Sequence, residues 1–305
     1  MFDPKADVDL LKNSMKGAGS DKESIINLAT SRNNQQRNKI REEYKASYGT
    51  DLISDLRSEL SGHLKDTLIA MFYHPIDYDC LSLRSAMKGL STDEDTLIEI
   101  IASRDNQQLA AIKQCYNAKY KRNLEDDIQS ETHGTLQHLL IALLQGKRSF
   151  NPNPDQARCA AIAKEIFDAG EAKLGTDESV FNKYFVSLSP IEMACVAQHY
   201  HKLTGHTILE AIDKEFHGDS KKALRTIVYA TLSPSEYFAT RVKDAIKGFG
   251  TKDTLLIRIL VSRDEIDMPQ IKQYYKQLYG KDMVQDIKSD ISGDYQKLMV
   301  ELCSH

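Results

Sequence analysis

Four short loops of matching residue types, each followed at a fixed distance by a carboxylate, are the features of this sequence that could do chemistry. Met15-Lys16-Gly17-Ala18-Gly19-Ser20, Met87-Lys88-Gly89-Leu90-Ser91-Thr92, Glu171-Ala172-Lys173-Leu174-Gly175-Thr176 and Ile246-Lys247-Gly248-Phe249-Gly250-Thr251 superpose. Forty residues beyond the fifth position of each stand Glu59, Glu131, Glu215 and Asp290, followed three residues later by Gly62, Gly134, Gly218 and Gly293. Calcium takes about six to eight oxygen ligands and accepts backbone carbonyls together with a bidentate carboxylate. The loop glycines free the backbone to turn carbonyls inward, and the distant acid closes the site from the opposite side. Because that acid is forty residues away, the arrangement is not an EF-hand, and no D-x-D-x-D-G stretch with a twelfth-position glutamate occurs. A phosphate cradle is the competing reading. It is disfavoured because no loop ends in G-K-[ST] and because a facing carboxylate repels phosphate. Ala18, Leu90, Leu174 and Phe249 are left to project outward. Apolar tips beside a calcium site suggest a membrane-touching surface, with Ala18 too small to contribute; partly buried loop residues are the alternative.

The elements that must position these loops repeat with them. The fifth positions, 19, 91, 175 and 250, are 72, 84 and 75 residues apart. The long middle interval contains the turn-rich stretch 146–154, which reads as a linker between two halves. Thirteen residues after the fifth position come Arg32, Arg104, Leu188 and Arg263, so the third repeat is the divergent one. Within the first repeat the apolar spacing is helical throughout. Leu10, Leu11 and Met15 precede the loop, and Ser20-Asp21-Lys22-Glu23 reads as a capping box opening a helix that carries Ile25, Ile26 and Leu28. A longer helix over 33–48 ends at Gly49, and segments 50–60 and 62–72 complete the unit. The expected fold is all-α, four repeats of about 70 residues with five helices each. Such units bury their apolar stripes by packing on neighbours. The boundaries expected are a head at 1–6, repeats at 7–75 and 76–147, a linker at 148–158, and repeats at 159–233 and 234–305.

Composition narrows the function classes. Forty basic against 44 acidic side chains give a net charge of −4, with no dense basic cluster, which argues against nucleic acid. Cys80, Cys115, Cys159, Cys195 and Cys303 are scattered, with no C-x-x-C pair, and read as reduced thiols rather than zinc ligands. The N-terminal residues carry acids and no apolar run, so the cytosol is the expected compartment. The longest apolar stretch, 136–144, is far short of the roughly 20 residues that cross a bilayer, so membrane contact is expected to be peripheral. His199, Tyr200, His201 and His206 read as solvated helix and loop residues. No nucleophile comes with a recognisable base or motif, so no enzyme is expected.

With its four M-K-G-x-G-T-like loops and matched acids, the sequence resembles the annexins over residues 7–303. The resemblance implies a slightly curved helical disc in two halves, with calcium loops on its convex face. Calcium would there bridge the loops to acidic phospholipid. The metal ligands it implies are Met15, Gly17, Gly19 and Glu59 in the first repeat and Ile246, Gly248, Gly250 and Asp290 in the fourth. In the second they are Met87, Gly89, Ser91 and Glu131, with Ser91 replacing a glycine and costing backbone freedom. In the third, Gly170, Lys173, Gly175 and Glu215 fit the G-x-x-K-x-G-T variant. It also implies minor metal positions at Glu94, Glu178 and Asp253, absent from the first repeat because Lys22 stands there. A charged axis of Asp79, Glu99, Arg104, Arg258 and Arg263 follows by the same resemblance, with Asp79 pairing Arg104 and Glu99 pairing Arg258. The six-residue head offers little handle for EF-hand partners or phosphate. The function expected is calcium-dependent binding to acidic membranes from the cytoplasm, with self-association on the membrane and cytoskeletal proteins as further candidate partners. The rival is a cytoskeleton-associated structural protein in which calcium is incidental.

Overall fold

The computed structural model describes residues 2–16 and 19–304. Among them are twenty α-helices and no strand, five helices to a repeat. The first repeat holds α1 (Pro4–Ser14), α2 (Lys22–Thr30), α3 (Asn34–Tyr48), α4 (Leu52–Glu59) and α5 (Gly62–Met71). The second holds α6 (Pro75–Ala86), α7 (Glu94–Ser103), α8 (Asn106–Tyr120), α9 (Leu124–Glu131) and α10 (Gly134–Leu144). The third holds α11 (Gln156–Ala169), α12 (Glu178–Phe185), α13 (Pro190–Thr204), α14 (Ile208–Glu215) and α15 (Gly218–Leu232). The fourth holds α16 (Pro234–Ile246), α17 (Asp253–Arg263), α18 (Met268–Tyr279), α19 (Met283–Asp290) and α20 (Gly293–Leu302).

The helices gather into two compact units, Met1–Tyr78 with Phe238–His305, and Asp79–Tyr237. The first repeat therefore packs with the fourth, and the second with the third. In the first unit α5 packs on α17 and α2 on α20; in the second α7 packs on α15 and α10. This corrects the reading of the turn-rich stretch as the divide between halves. It lies inside the second unit, pinned by hydrogen bonds from Asn106 Nδ2 to Arg148 O (2.9 Å) and from Ser149 N to Ser187 O (2.8 Å). Turn-forming composition marks an irregular segment, but not whether the helices on either side of it pack together.

The local start and stop signals act much as the sequence implies. Each third helix of a repeat opens on a side-chain cap at Asn33, Asp105 or Ser189, with a reciprocal capping box, except α18, where Asp267 makes no cap bond. Each stops on a left-handed residue, Gly49, Lys121, Gly205 or Gly280. Lys121, at φ +55°, is the one non-glycine with positive φ among the described residues. Since a Cβ is disfavoured there, Lys121→Gly is expected to stabilise the protein by about 0.5–1 kcal/mol, read as a raised urea midpoint with unchanged slope. The expected capping box at Ser20 is corrected. Asp21 caps α2 by accepting from Ser24 N at 3.1 Å, while Ser20 Oγ turns away to donate to Glu59 O at 3.3 Å. An Asp one residue downstream offers a better acceptor to the first helical turn, which frees the serine to tie the loop to α4.

Candidate functional site

The loop between the first two helices is closed in the same way in every repeat. Asp21 N donates to Ser14 O, Asp93 N to Ala86 O, Asp177 N to Ala169 O and Lys252 N to Ala245 O, each at 2.8 Å. The bond spans eight residues in the third repeat against seven elsewhere, so the divergent loop carries one extra residue. Gly89 and Gly248 take φ of +138° and +109°, a backbone that turns the peptide planes in a way side chains with a Cβ resist. At the fifth position Gly19, Gly175 and Gly250 are also at positive φ, whereas Ser91 is not, so the second loop takes a different path at that residue. Gly17 and Ala18 lie outside the described residues. Met15, Met87 and Ile246 are buried and anchor the loops from below.

The acids forty residues on come to these loops. Thr92 Oγ1 donates to Glu131 Oε2 at 2.7 Å, Thr176 Oγ1 to Glu215 Oε2 at 2.5 Å and Thr251 Oγ1 to Asp290 Oδ2 at 2.5 Å. In each pair the second carboxylate oxygen accepts no hydrogen bond among the described residues. In the third repeat a Cβ on Gly170 would meet Glu215 Cγ at 3.2 Å and Cδ at 3.3 Å, so glycine there is what lets the carboxylate approach the loop. Glu59 differs: the Ser20 hydroxyl reaches its backbone oxygen and leaves the exposed carboxylate free. The threonines were not singled out in the sequence; their constant 39-residue offset from the acid is the signal that could have found them. Among the described residues no three His, Cys, Asp or Glu side chains cluster as a metal would require of side chains alone. One hard carboxylate beside turned backbone carbonyls suits calcium and not a thiolate- or imidazole-seeking ion.

Three large apolar residues stand at the loop tips. Leu90, Leu174 and Phe249 are fully exposed, at 110%, 105% and 114% of their reference areas, and so are not partly buried loop residues.

The acids expected to form minor sites sit at the starts of α7, α12 and α17, each against the first turn of the last helix in the paired repeat. Burial and a hydrogen bond with Asp219 push the Glu94 carboxyl above its ordinary range. Glu178 Oε2 accepts from Thr135 Oγ1, and Asp253 lies 3.2 Å from His63 Nε2. In the first repeat Lys22 takes the equivalent place, 3.5 Å from Asp294. Of the charged axis, Asp79 and Arg104 form a buried bidentate pair at 2.7 and 2.9 Å. Burial alone would lower the Arg104 pKa, and the charges of Asp79 and Glu99 reverse this, holding it above the usual arginine value. Glu99 and Arg258 are buried, in the second and first units respectively. Arg263 pairs with Asp267 at 2.7 Å and stacks 4.5 Å over Phe238.

A second recurrent network ties the helices under each loop. Tyr44 donates to Asp55, Tyr116 to Asp127 and Tyr275 to Asp286 at 2.6–2.7 Å, and Lys12, Arg84 and Lys243 pair with those carboxylates. Burial first and the carboxylate second push the Tyr44 and Tyr116 phenols up to about 12. The third repeat has Ala211 in place of this aspartate, and Tyr200 donates instead to Glu171, a residue of the loop, at 2.6 Å. Lys214 and His206 flank Glu171 at 2.8 and 3.3 Å. Tyr200, grouped with the solvated histidines in the sequence, is thereby corrected to a fully buried core residue; His199 and His206 are half-buried and His201 is exposed.

The family model described as Annexin matches four times, at residues 6–71, 78–143, 162–227 and 237–302. Human annexin A11 is 42% identical over 302 residues, covering 99% of this chain and 60% of its own length. The chain thus spans about 60% of such relatives. The solved structure of annexin III superposes with a TM-score of 0.97 at 35% identity, covering 100% of this chain and 94% of the other. A calcium-bound structure of annexin (Sm)1 gives 0.89 at 29% identity, covering 100% and 91%.

Proposed function

This chain belongs to the annexin family, whose members are characterised by calcium-dependent phospholipid binding, and on that premise we propose that it docks on acidic membranes through its interhelical loops. The observation that carries the reading is the carboxylate held at three of the four loop mouths by Thr92, Thr176 or Thr251 with one oxygen left over. Calcium bound there would take that oxygen together with loop carbonyls of Met87, Gly89 and their counterparts. The remaining positions go to water or lipid phosphate oxygens, so calcium and membrane raise each other's affinity by linkage. Without calcium, a chain of net charge −4 has no electrostatic reason to approach an anionic surface. Among the described residues no helix is long and apolar enough to cross a membrane, which fits a peripheral mode. A cytoplasmic home, recruitment when calcium rises, a binding rather than catalytic role, and assembly on the membrane complete the proposal.

The test is sedimentation with phosphatidylserine vesicles across a calcium titration, with a chelator wash and phosphatidylcholine vesicles as control. Pelleting that needs both calcium and acidic lipid and reverses on chelation is the expected result. No pelleting at millimolar calcium, or filament binding that ignores calcium, would sink the reading in favour of a cytoskeletal one. The tips add apolar contact to this bridge. Leu90→Ser, Leu174→Ser and Phe249→Ser combined are expected to raise the calcium needed for half-maximal pelleting about three- to tenfold, since the three side chains together are worth about 3–6 kcal/mol of membrane affinity and linkage spreads that loss over the calcium ions of the four loops.

A further inference from the structure

The two units treat one buried arginine differently. In the first, Arg37 inserts beside the end of α2, where Nη1 donates to Ala29 O at 2.9 Å and Arg32 O at 2.6 Å. Its charge is met by Glu265 at 2.8 Å and Asp264 at 3.9 Å. In the second, Arg148 reaches the end of α7, where Nη2 donates to Ala102 O at 3.2 Å. No carboxylate among the described residues lies within ion-pair distance of it, and its buried Nε has no acceptor. Burial, unopposed by any negative charge, brings its pKa down to about 10. Glu192, on the neighbouring α13, is already committed to Ser189 N at 3.0 Å and Arg158 at 3.2 Å. A desolvated guanidinium with no counter-ion is costly to the chain that carries it, and it is an efficient receptor for an oxyanion.

The surroundings favour one kind of anion. Residues 148–151 are held rigidly: Arg148 O accepts from Asn106, Ser149 N donates to Ser187 O, and Asn151 O accepts from Ser189 Oγ at 3.2 Å. Two apolar side chains are left in solvent on these tied segments, Phe150 at 76% exposure and Ile191 at 48%. An isolated phosphate has no use for them, whereas a peptide that places a carboxylate next to a large apolar side chain satisfies both features. The site is separated from the second calcium loop by the whole length of α7, about 15 Å for its ten residues. We propose that Arg148, with Phe150 two residues along the same tied segment and Ile191 two residues beyond the Ser189 that ties it, is a docking point for a short acidic-apolar peptide segment of a partner protein. It operates independently of calcium and does not rest on the membrane reading.

The experiment is isothermal calorimetry of the whole chain in chelator against the tetrapeptide acetyl-Leu-Glu-Phe-Glu-amide, its glutamine counterpart, and inorganic phosphate. Saturable binding of the glutamate peptide, with the glutamine peptide about tenfold weaker, is expected, as is a similar loss in Arg148→Gln. Arg148→Lys retains part of the affinity, and Phe150→Ser, at an exposed position that does not threaten the fold, weakens binding about threefold. Equal affinity in wild type and Arg148→Gln would overturn the site. Phosphate binding as tightly as the peptide, with no effect of Phe150→Ser, would overturn the peptide in favour of a free oxyanion. Arg148-dependent binding to phosphatidylserine vesicles in chelator would overturn it in favour of lipid.

Discussion

Replacing Glu59, Glu131, Glu215 and Asp290 together with alanine is expected to abolish calcium-dependent pelleting with phosphatidylserine vesicles, while the helical spectrum and urea midpoint stay close to wild type. Each of these is the one carboxylate carried over to its loop, and no cluster of other acids stands ready to substitute among the described residues. Losing a metal's anionic ligand costs at least the roughly 10–100-fold seen when supporting groups are removed. Four weakened contacts acting on one surface multiply, because loops on one chain bind at high effective concentration once the first has engaged. Single variants separate the repeats. Glu131→Ala, Glu215→Ala and Asp290→Ala each remove the acceptor of a loop threonine, whereas Glu59→Ala breaks no side-chain hydrogen bond. Undiminished pelleting of the quadruple variant at unchanged calcium would refute the site assignment. Loss of pelleting with a collapsed midpoint would trace the effect to stability instead.

Removing either half of the Asp79–Arg104 pair should be the most destabilising single change in the second unit. Both side chains are buried and bonded twice to each other, so Arg104→Leu strands a carboxylate and Asp79→Ala strands a guanidinium. Breaking such a pair costs about 3–5 kcal/mol, most of it the penalty of the charge left behind. The double variant Asp79→Ala with Arg104→Leu is expected to recover most of that loss. The chain itself supplies the precedent, since the third repeat, once the extra loop residue is allowed for, has buried Ile162 and Leu188 at the same two positions. The fourth solves the same problem a third way, with Arg263 stacked on Phe238. Urea unfolding of the two single variants and the double variant decides the matter; a double variant no more stable than the worse single one would mean that the pair does more than neutralise itself.

Much of this molecule is legible in its residues because the information is local and repeated four times. The loop glycines, the acids forty residues on and the helix-ending glycines each recur in register. A reader needs no tertiary contact to see that they belong to one design. The same regularity misleads where a neighbour decides the outcome. Ser20 spells a capping box with Glu23, yet Asp21 caps the helix because Ser20 is drawn to Glu59 on another helix. Tyr200 sits among histidines in sequence, yet it is buried because helical periodicity turns it inward while the next residue, His201, faces solvent.

By itself, then, the sequence determined the all-helical repeats, the loop and its matched acid, and with them the resemblance to annexins, since helix formation and turn geometry depend on residues a few positions apart. Only the tertiary structure decided that the first repeat pairs with the fourth and the second with the third. It alone placed Glu94, Glu178 and Asp253 against helices of the paired repeat, moved the tyrosine's acceptor in the third repeat onto Glu171, and left Arg148 without a counter-ion. Those outcomes depend on which buried surfaces and charges meet across more than a hundred residues of chain, and spacing along the chain does not encode that.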